Sequence, residues 1–389
     1  MPLAPLPRWG AGNRDRLVFS HLQSEASVSL RAMSLTKSAL PLRLARCLLS
    51  SWTALLFFSQ IALAQEGYVG AKVCGGCHAT EFATQSQSNH SRSLHPVSDT
   101  QWLEQVPTGT GSESADPEAA RFEFRKGGSK YQVVLTVGTD QLVVPIQWIF
   151  GANDQGVTFL SRLDDGRFVE HRLSYYKRKK GFDITPGHHP RLSRTLEQAK
   201  GNFVSPEEAF RCVHCHSTYV KQGSAGPEFE SVVPGVTCEA CHGPGANHLK
   251  AVKSGATDLS IRNPGKLSGK EQVRMCGECH RNNPEPPETL PDAPIVTRFQ
   301  PVGLQLSACF QKSNAAITCL TCHNPHQNVR REDDDFYNSR CLSCHTGRST
   351  KTCKVSPAEG CIHCHMPKVI PVAHLAFSDH WIRVHKRTP

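Results

Sequence analysis

The sequence predicts a fold of mostly short α-helices and loops packed around covalently attached groups, with one small antiparallel β insertion at about residues 121–176. Three observations lead there. Seven copies of Cys-x-x-Cys-His punctuate the chain, six of them between residues 212 and 365, and the long interval after the first copy holds alternating β-type runs. Intervals of 20 to 43 residues between the later copies leave room only for a helix and a turn.

The copies, called motifs 1 to 7, read CGGCH, CVHCH, CEACH, CGECH, CLTCH, CLSCH and CIHCH. Shuffling 17 Cys and 20 His over the same length would give about 0.04 copies by chance. The spacing has a mechanical reason. On one helical turn, residues i, i+3 and i+4 share a face, so two thiols can add to the two vinyl groups of a haem while the next residue turns its imidazole onto the iron. The expected attachment residues are Cys74 and Cys77, Cys212 and Cys215, Cys238 and Cys241, Cys276 and Cys279, Cys319 and Cys322, Cys341 and Cys344, and Cys361 and Cys364. The expected proximal ligands are His78, His216, His242, His280, His323, His345 and His365.

Three other uses of paired cysteines fit less well. Structural zinc takes four ligands in matched pairs, which does not call for a trailing His in every copy. Disulfide staples have no use for that His either. Thioredoxin-like redox pairs come singly. The pattern therefore implies seven covalent haem c groups and a multihaem c-type fold, in which the macrocycles supply much of the apolar core.

Residues 1–64 read as an upstream segment and a cleaved secretory signal. Lys37, Arg43 and Arg46 form a charged region, Cys47 to Ile61 is largely apolar, and Ala62-Leu63-Ala64 offers a cleavage site. Ser50, Ser51, Ser59 and Gln60 interrupt the run, which argues against a membrane anchor of about 20 apolar residues, so no integral membrane segment is expected after cleavage. Export to the periplasm or the exterior agrees with haem attachment, which needs thiols under oxidising conditions. The formal net charge of +10 does not point to nucleic acid, because haem propionates would pair with much of it.

Four segments follow: the upstream segment at 1–64, an N-terminal haem segment at 65–120, a strand-rich insertion at 121–205, and a six-motif haem domain at 206–389. Within the insertion, Arg121 to Lys126 and Tyr131 to Val137 flank Gly127-Gly128, and Val157 to Leu163 and Arg167 to Tyr175 flank Asp164-Asp165-Gly166, two hairpin patterns. Gln141 to Phe150 suggests another strand, kept at an edge by Pro145. Pro107 to Ala119 reads as a surface loop.

Beyond the proximal ligands and His21, twelve histidines remain, whereas residues 65–389 hold only Met275 and Met366. Thioether ligation raises a haem's potential, so this composition favours bis-His, low-potential haems. His248 in CHGPGANH and His326 in CHNPH sit on rigid turns just after their motifs, and His90 and His380 are the strongest candidates in their own segments. Cys309 and Cys353 lie outside the motifs, placed for a disulfide or for inert burial.

Taken together, YVGAKVCGGCHATEFATQSQSNHSRSLHP at 68–96, VTCEACHGPGANHL at 236–249, ITCLTCHNPH at 317–326, CHMPK and FSDHWIR resemble multihaem cytochromes c of the cytochrome c-554/c-prime and doubled-CXXCH type. The resemblance implies that His90, His248, His326 and His380 match positions commonly used as distal ligands. Relatives by motif include enzymes as well as carriers. The Lys-ligated motif of pentahaem nitrite reductases is absent here, and the crosslinking Tyr of hydroxylamine-oxidising relatives has no evident counterpart. The balance favours an exported heptahaem electron carrier, passing electrons between other redox proteins or a respiratory complex. The alternative is a reductase or oxidase of a small nitrogen or sulfur compound at one five-coordinate haem.

Overall fold

The structure is a computed structural model that describes residues 67–280, 294–331, 333–345, 353–356 and 358–385. The expected signal segment and cleavage site lie outside the described residues.

Fifteen strands in four antiparallel sheets are present among the described residues. They are β1 (Leu94–Pro96), β2 (Gly109–Ser112), β3 (Arg121–Gly127), β4 (Lys130–Val137), β5 (Asp140–Ile146), β6 (Trp148–Phe150), β7 (Gly156–Arg162), β8 (Phe168–His171), β9 (Leu173–Tyr176), β10 (Gly181–Ile184), β11 (Gly201–Val204), β12 (Ser217–Gly223), β13 (Gly226–Pro234), β14 (Lys368–Val372) and β15 (Leu375–Ser378). The expectation of mostly short helices with a small β insertion at 121–176 is therefore wrong. Strands run from residue 94 to 234 and return near the C-terminus. The physical reason is that this part of the chain builds an apolar core from its own side chains.

That core lies between two sheets. Strands β2-β3-β4-β5 form a meander, and β1-β6-β7-β8-β11 form the spine of a seven-stranded sheet in which β9 pairs with both β7 and β10. Alternation sends Phe122 and Phe124 of β3 and Tyr131, Val133 and Leu135 of β4 to one face. There they meet Ile149, Val157, Phe159, Leu173 and Phe182. Phe124 and Phe182 stack at 4.0 Å between centroids. Burying each such ring is worth about 1.5–3 kcal/mol, enough for the sheets to pack without help from a cofactor.

Three local expectations need detail. The 107–119 stretch is not all loop, because Gly109–Ser112 pairs with β3 as an edge strand. The long run to Tyr175 is broken into β8 and β9 at Arg172, whose guanidinium is buried against Glu113 and donates to the carbonyls of His189 and Arg191, each at 2.7 Å. Pro145 lies on β5, an edge strand, where its missing N–H leaves no ladder bond unmade.

The other face of the seven-stranded sheet seats the first long motif helix. Leu94, Trp148, Leu160 and Phe168 pack against Ala209 and Val213 of the helix Pro206–His216. That helix starts with a Ser205/Glu208 capping box and Pro206 in its first turn, and ends on motif 2. A third apolar cluster, Val273, Leu304, Phe310 and Ala315, underlies motifs 4 and 5 and takes in Cys319 and Ile382 at its rim.

Candidate haem-binding array

Each motif lies on a helix or a single helical turn, as its spacing requires. Motifs 2, 4 and 6 end the longer helices Pro206–His216, Gly269–His280 and Asp334–His345. Motifs 3, 5 and 7 occupy the single turns Cys238–His242, Cys319–Cys322 and Cys361–His365, and motif 1 starts at the end of the turn Ala71–Gly75 and runs on to His78, which caps the next helix. No disulfide joins any cysteines among the described residues. Cys309 and Cys353 are not brought together: Cys309 is half-buried near Cys344, and Cys353 is exposed, its sulfur accepting from the Ser356 N–H at 3.5 Å.

The imidazoles are oriented from behind. The Nδ1 of His216 donates to the Ser93 carbonyl at 3.1 Å, that of His242 to Arg262 at 2.9 Å, and that of His365 to Arg383 at 3.0 Å. His248 donates to Leu259 at 2.8 Å and His380 to Ser378 at 2.9 Å. A carbonyl oxygen has no proton to give, so each of these Nδ1 atoms carries one and each Nε2 keeps its lone pair. This is the arrangement by which second-shell groups orient metal-ligating histidines. Burial also pushes His280 and His323 down to about 4 and lowers His90, His216, His326 and His380. These rings are neutral at pH 7, the form that binds iron.

Among the described residues, four motif histidines stand opposite a second imidazole. Ring centroids lie 6.4 Å apart for His78 and His248, 6.0 Å for His280 and His90, 6.2 Å for His242 and His326, and 6.2 Å for His323 and His380. With a metal–nitrogen bond of about 2 Å and roughly 1 Å from nitrogen to ring centre, two imidazoles sharing one metal would have centroids about 6 Å apart. The residues fit the group that the motifs imply.

The partners cross between motifs. His248 follows motif 3 but faces motif 1, His326 follows motif 5 but faces motif 3, and His90 follows motif 1 but faces motif 4. Among the described residues, no second imidazole pairs at this spacing with His216 or His365; the ring near His216 is Phe150, edge-on at 5.2 Å. Other histidines are engaged elsewhere. His95 uses Nδ1 on Asp99 and Nε2 on the Arg92 carbonyl while stacking on Trp102 at 4.2 Å. His374 binds Asp183, and His171 binds Ser161, each through Nε2.

Two residues of the array had no signal in the sequence. Glu239, inside motif 3, is 3 % exposed and accepts from the N–H groups of Val69 at 2.9 Å, Gly70 at 2.8 Å and Gly245 at 2.8 Å. It thereby ties the start of the motif 1 helix to the start of the helix Ala246–Ser254, which carries His248. Gly303 lets the helix Gln300–Leu306 pass so close to the ligand segment that a Cβ there would lie 2.7 Å from the Trp381 nitrogen and 2.8 Å from the His380 carbonyl carbon.

Comparisons with known proteins follow the same line. The family profile for cytochrome c554 and c-prime matches residues 175–243. The multiheme cytochrome MtrA of Shewanella baltica is 26% identical over 196 residues, covering 40% of this chain and 58% of the relative. The dissimilatory sulfite reductase MccA of Wolinella succinogenes is 22% identical over 387 aligned residues, covering 77% of this chain and 50% of the relative. The chain thus spans between half and three fifths of the length of these relatives. The solved outer cell wall cytochrome OcwA matches with a TM-score of 0.47 at 15% identity, over 82% of this chain and 80% of that one. The repeated attachment sequence, the profile match and the similarity to a multiheme cytochrome lead to one conclusion: this protein is a multihaem cytochrome c.

Proposed function

We propose that the chain is an exported heptahaem cytochrome that carries electrons between redox partners in the periplasm or outside the cell. The observation that carries this reading is the set of four imidazole pairs, spaced as two axial ligands of one iron would be. In it, the seven cysteine pairs hold haem c, the seven motif histidines are proximal ligands, and His248, His90, His326 and His380 are distal ligands of motifs 1, 4, 3 and 5. Bound there, haem iron would take up and release single electrons. The chain's part is to close both axial faces with nitrogen ligands, favouring a low potential, and to fix each ring through a carbonyl. Residues 1–64 are assigned to the upstream segment and signal, and residues 65–120, 121–205 and 206–389 to the haem segment, the insertion and the six-motif domain. No helix among the described residues is long and apolar enough to cross a membrane.

A second reading has two observations in its favour. Among the described residues, no imidazole pairs with His216 in the way that His248 pairs with His78, and one relative is named a sulfite reductase. An open iron at motif 2 would suit reduction or oxidation of a small nitrogen or sulfur compound. Electron paramagnetic resonance of the oxidised holoprotein decides between the two. The carrier reading predicts that nitrite, hydroxylamine and sulfite leave the spectrum unchanged. A high-spin ferric signal that shifts with any of them would replace it with the enzyme reading.

A further inference from the structure

The attachment thiols of different motifs are neighbours, some of them hydrogen-bonded, and together they form a connected graph. Cys74 of motif 1 is hydrogen-bonded to Cys238 of motif 3, and their helical turns pack together. Cys241 of motif 3 lies beside both Cys276 and Cys279 of motif 4. Cys276 in turn is hydrogen-bonded to Cys319 of motif 5, and the helix Gly269–His280 packs on the turn Cys319–Cys322. Motif 5 meets motif 6 through Cys322 near Cys341, with Tyr337 of the motif 6 helix 6.0 Å from the His323 ring. Cys341 is hydrogen-bonded to Cys361 of motif 7, and Asn338 accepts from the Cys361 N–H at 3.0 Å. Motif 2 joins elsewhere: Cys279 is hydrogen-bonded to Cys215, whose sulfur also donates to the Glu278 carbonyl at 3.9 Å.

We infer that the relay is branched, running through motifs 1, 3, 4, 5, 6 and 7 in that order, with motif 2 joining at motif 4. This inference rests on the carrier reading. Each sulfur would sit at the rim of the macrocycle it holds, so neighbouring sulfurs imply neighbouring rims, and electron tunnelling is fastest between rims that lie close. Motif 4 is the junction because its two cysteines, three residues apart, address different neighbours: Cys276 reaches motif 5 and Cys279 reaches motif 2. The order departs from the order along the chain, since motif 3 follows motif 1 in space while motif 2 is held on the face of the seven-stranded sheet. The relay therefore has three ends, at motifs 1, 2 and 7.

The test is an iron map of the holoprotein from anomalous scattering. The expected result is that the motif 4 iron has three near neighbours, those of motifs 2, 3 and 5, and that the motif 2 iron has motif 4 as its nearest. A motif 2 iron closest to motif 1 or 3, or a motif 5 iron closer to motif 2 than to motif 4, overturns the branch. The two readings fail separately. A different iron order with no ligand-sensitive high-spin signal leaves the carrier standing without the branch, whereas the expected order with such a signal keeps the branch and removes the carrier.

Discussion

Replacing His380 with alanine is expected to turn one low-spin ferric centre high-spin while the haem content of the chain stays the same. The ring is half-buried, held by the Ser378 carbonyl, and stands 6.2 Å from that of His323, so its loss opens one axial face without touching a cysteine. His90→Ala, His248→Ala and His326→Ala should each do the same at a different motif. Gly303→Val should give the His380→Ala spectrum without removing a ligand, because the added side chain collides with the backbone of His380 and Trp381. His95→Ala should change nothing in the spin state, since both of its nitrogens are already engaged. His380→Met should restore a low-spin centre at a higher potential, as thioether ligation does. Paramagnetic resonance and a redox titration read all of these. An unaltered low-spin spectrum in His380→Ala would remove that residue from the ligand set.

Glu239→Leu should cost about 3–5 kcal/mol of holoprotein stability, since one buried and two half-buried backbone N–H groups lose their acceptor at once and each such loss costs about 1–3 kcal/mol before relaxation. Urea unfolding followed by circular dichroism measures it. The control is Glu278→Leu, the acidic residue at the second inner position of motif 4, which is exposed and should change stability by no more than about 0.5 kcal/mol. Equal effects in the two variants would mean that Glu239 does not tie motif 1 to motif 3. His248→Ala is predicted to leave stability closer to wild type than Glu239→Leu does, because the imidazole makes one backbone bond where the carboxylate makes three.

The chemistry of this chain was more legible than its architecture. Cys-x-x-Cys-His is local: its geometry is set within one helical turn, so spacing alone is enough to point to it. Two candidate distal histidines, His248 and His326, were visible for a related reason, as they follow their motifs within a few residues, although the structure places His248 on the helix Ala246–Ser254 and not on a turn. What stayed hidden was which motif each one serves, because that depends on contacts such as His90 with His280, 190 positions apart in the sequence. The β content was underestimated for a different reason. Strands such as β1, β6, β8 and β11 have three or four residues, too few for a two-residue period to stand out, and the GTGS of β2 carries turn residues although it pairs along its whole length with β3. Tertiary pairing, not local preference, makes these segments strands. Glu239 was hidden because an acidic residue at an inner motif position looks the same whether it is solvated, like Glu278, or buried under three N–H donors.

The central claim is that iron porphyrin is bound covalently at all seven motifs. Intact-protein mass, measured with a pyridine haemochrome assay on chain produced with cytochrome maturation machinery, tests it most directly. The account predicts seven haem c per chain, retained after acid–acetone extraction. A folded product carrying fewer than seven, or one whose haem is extracted, would contradict it.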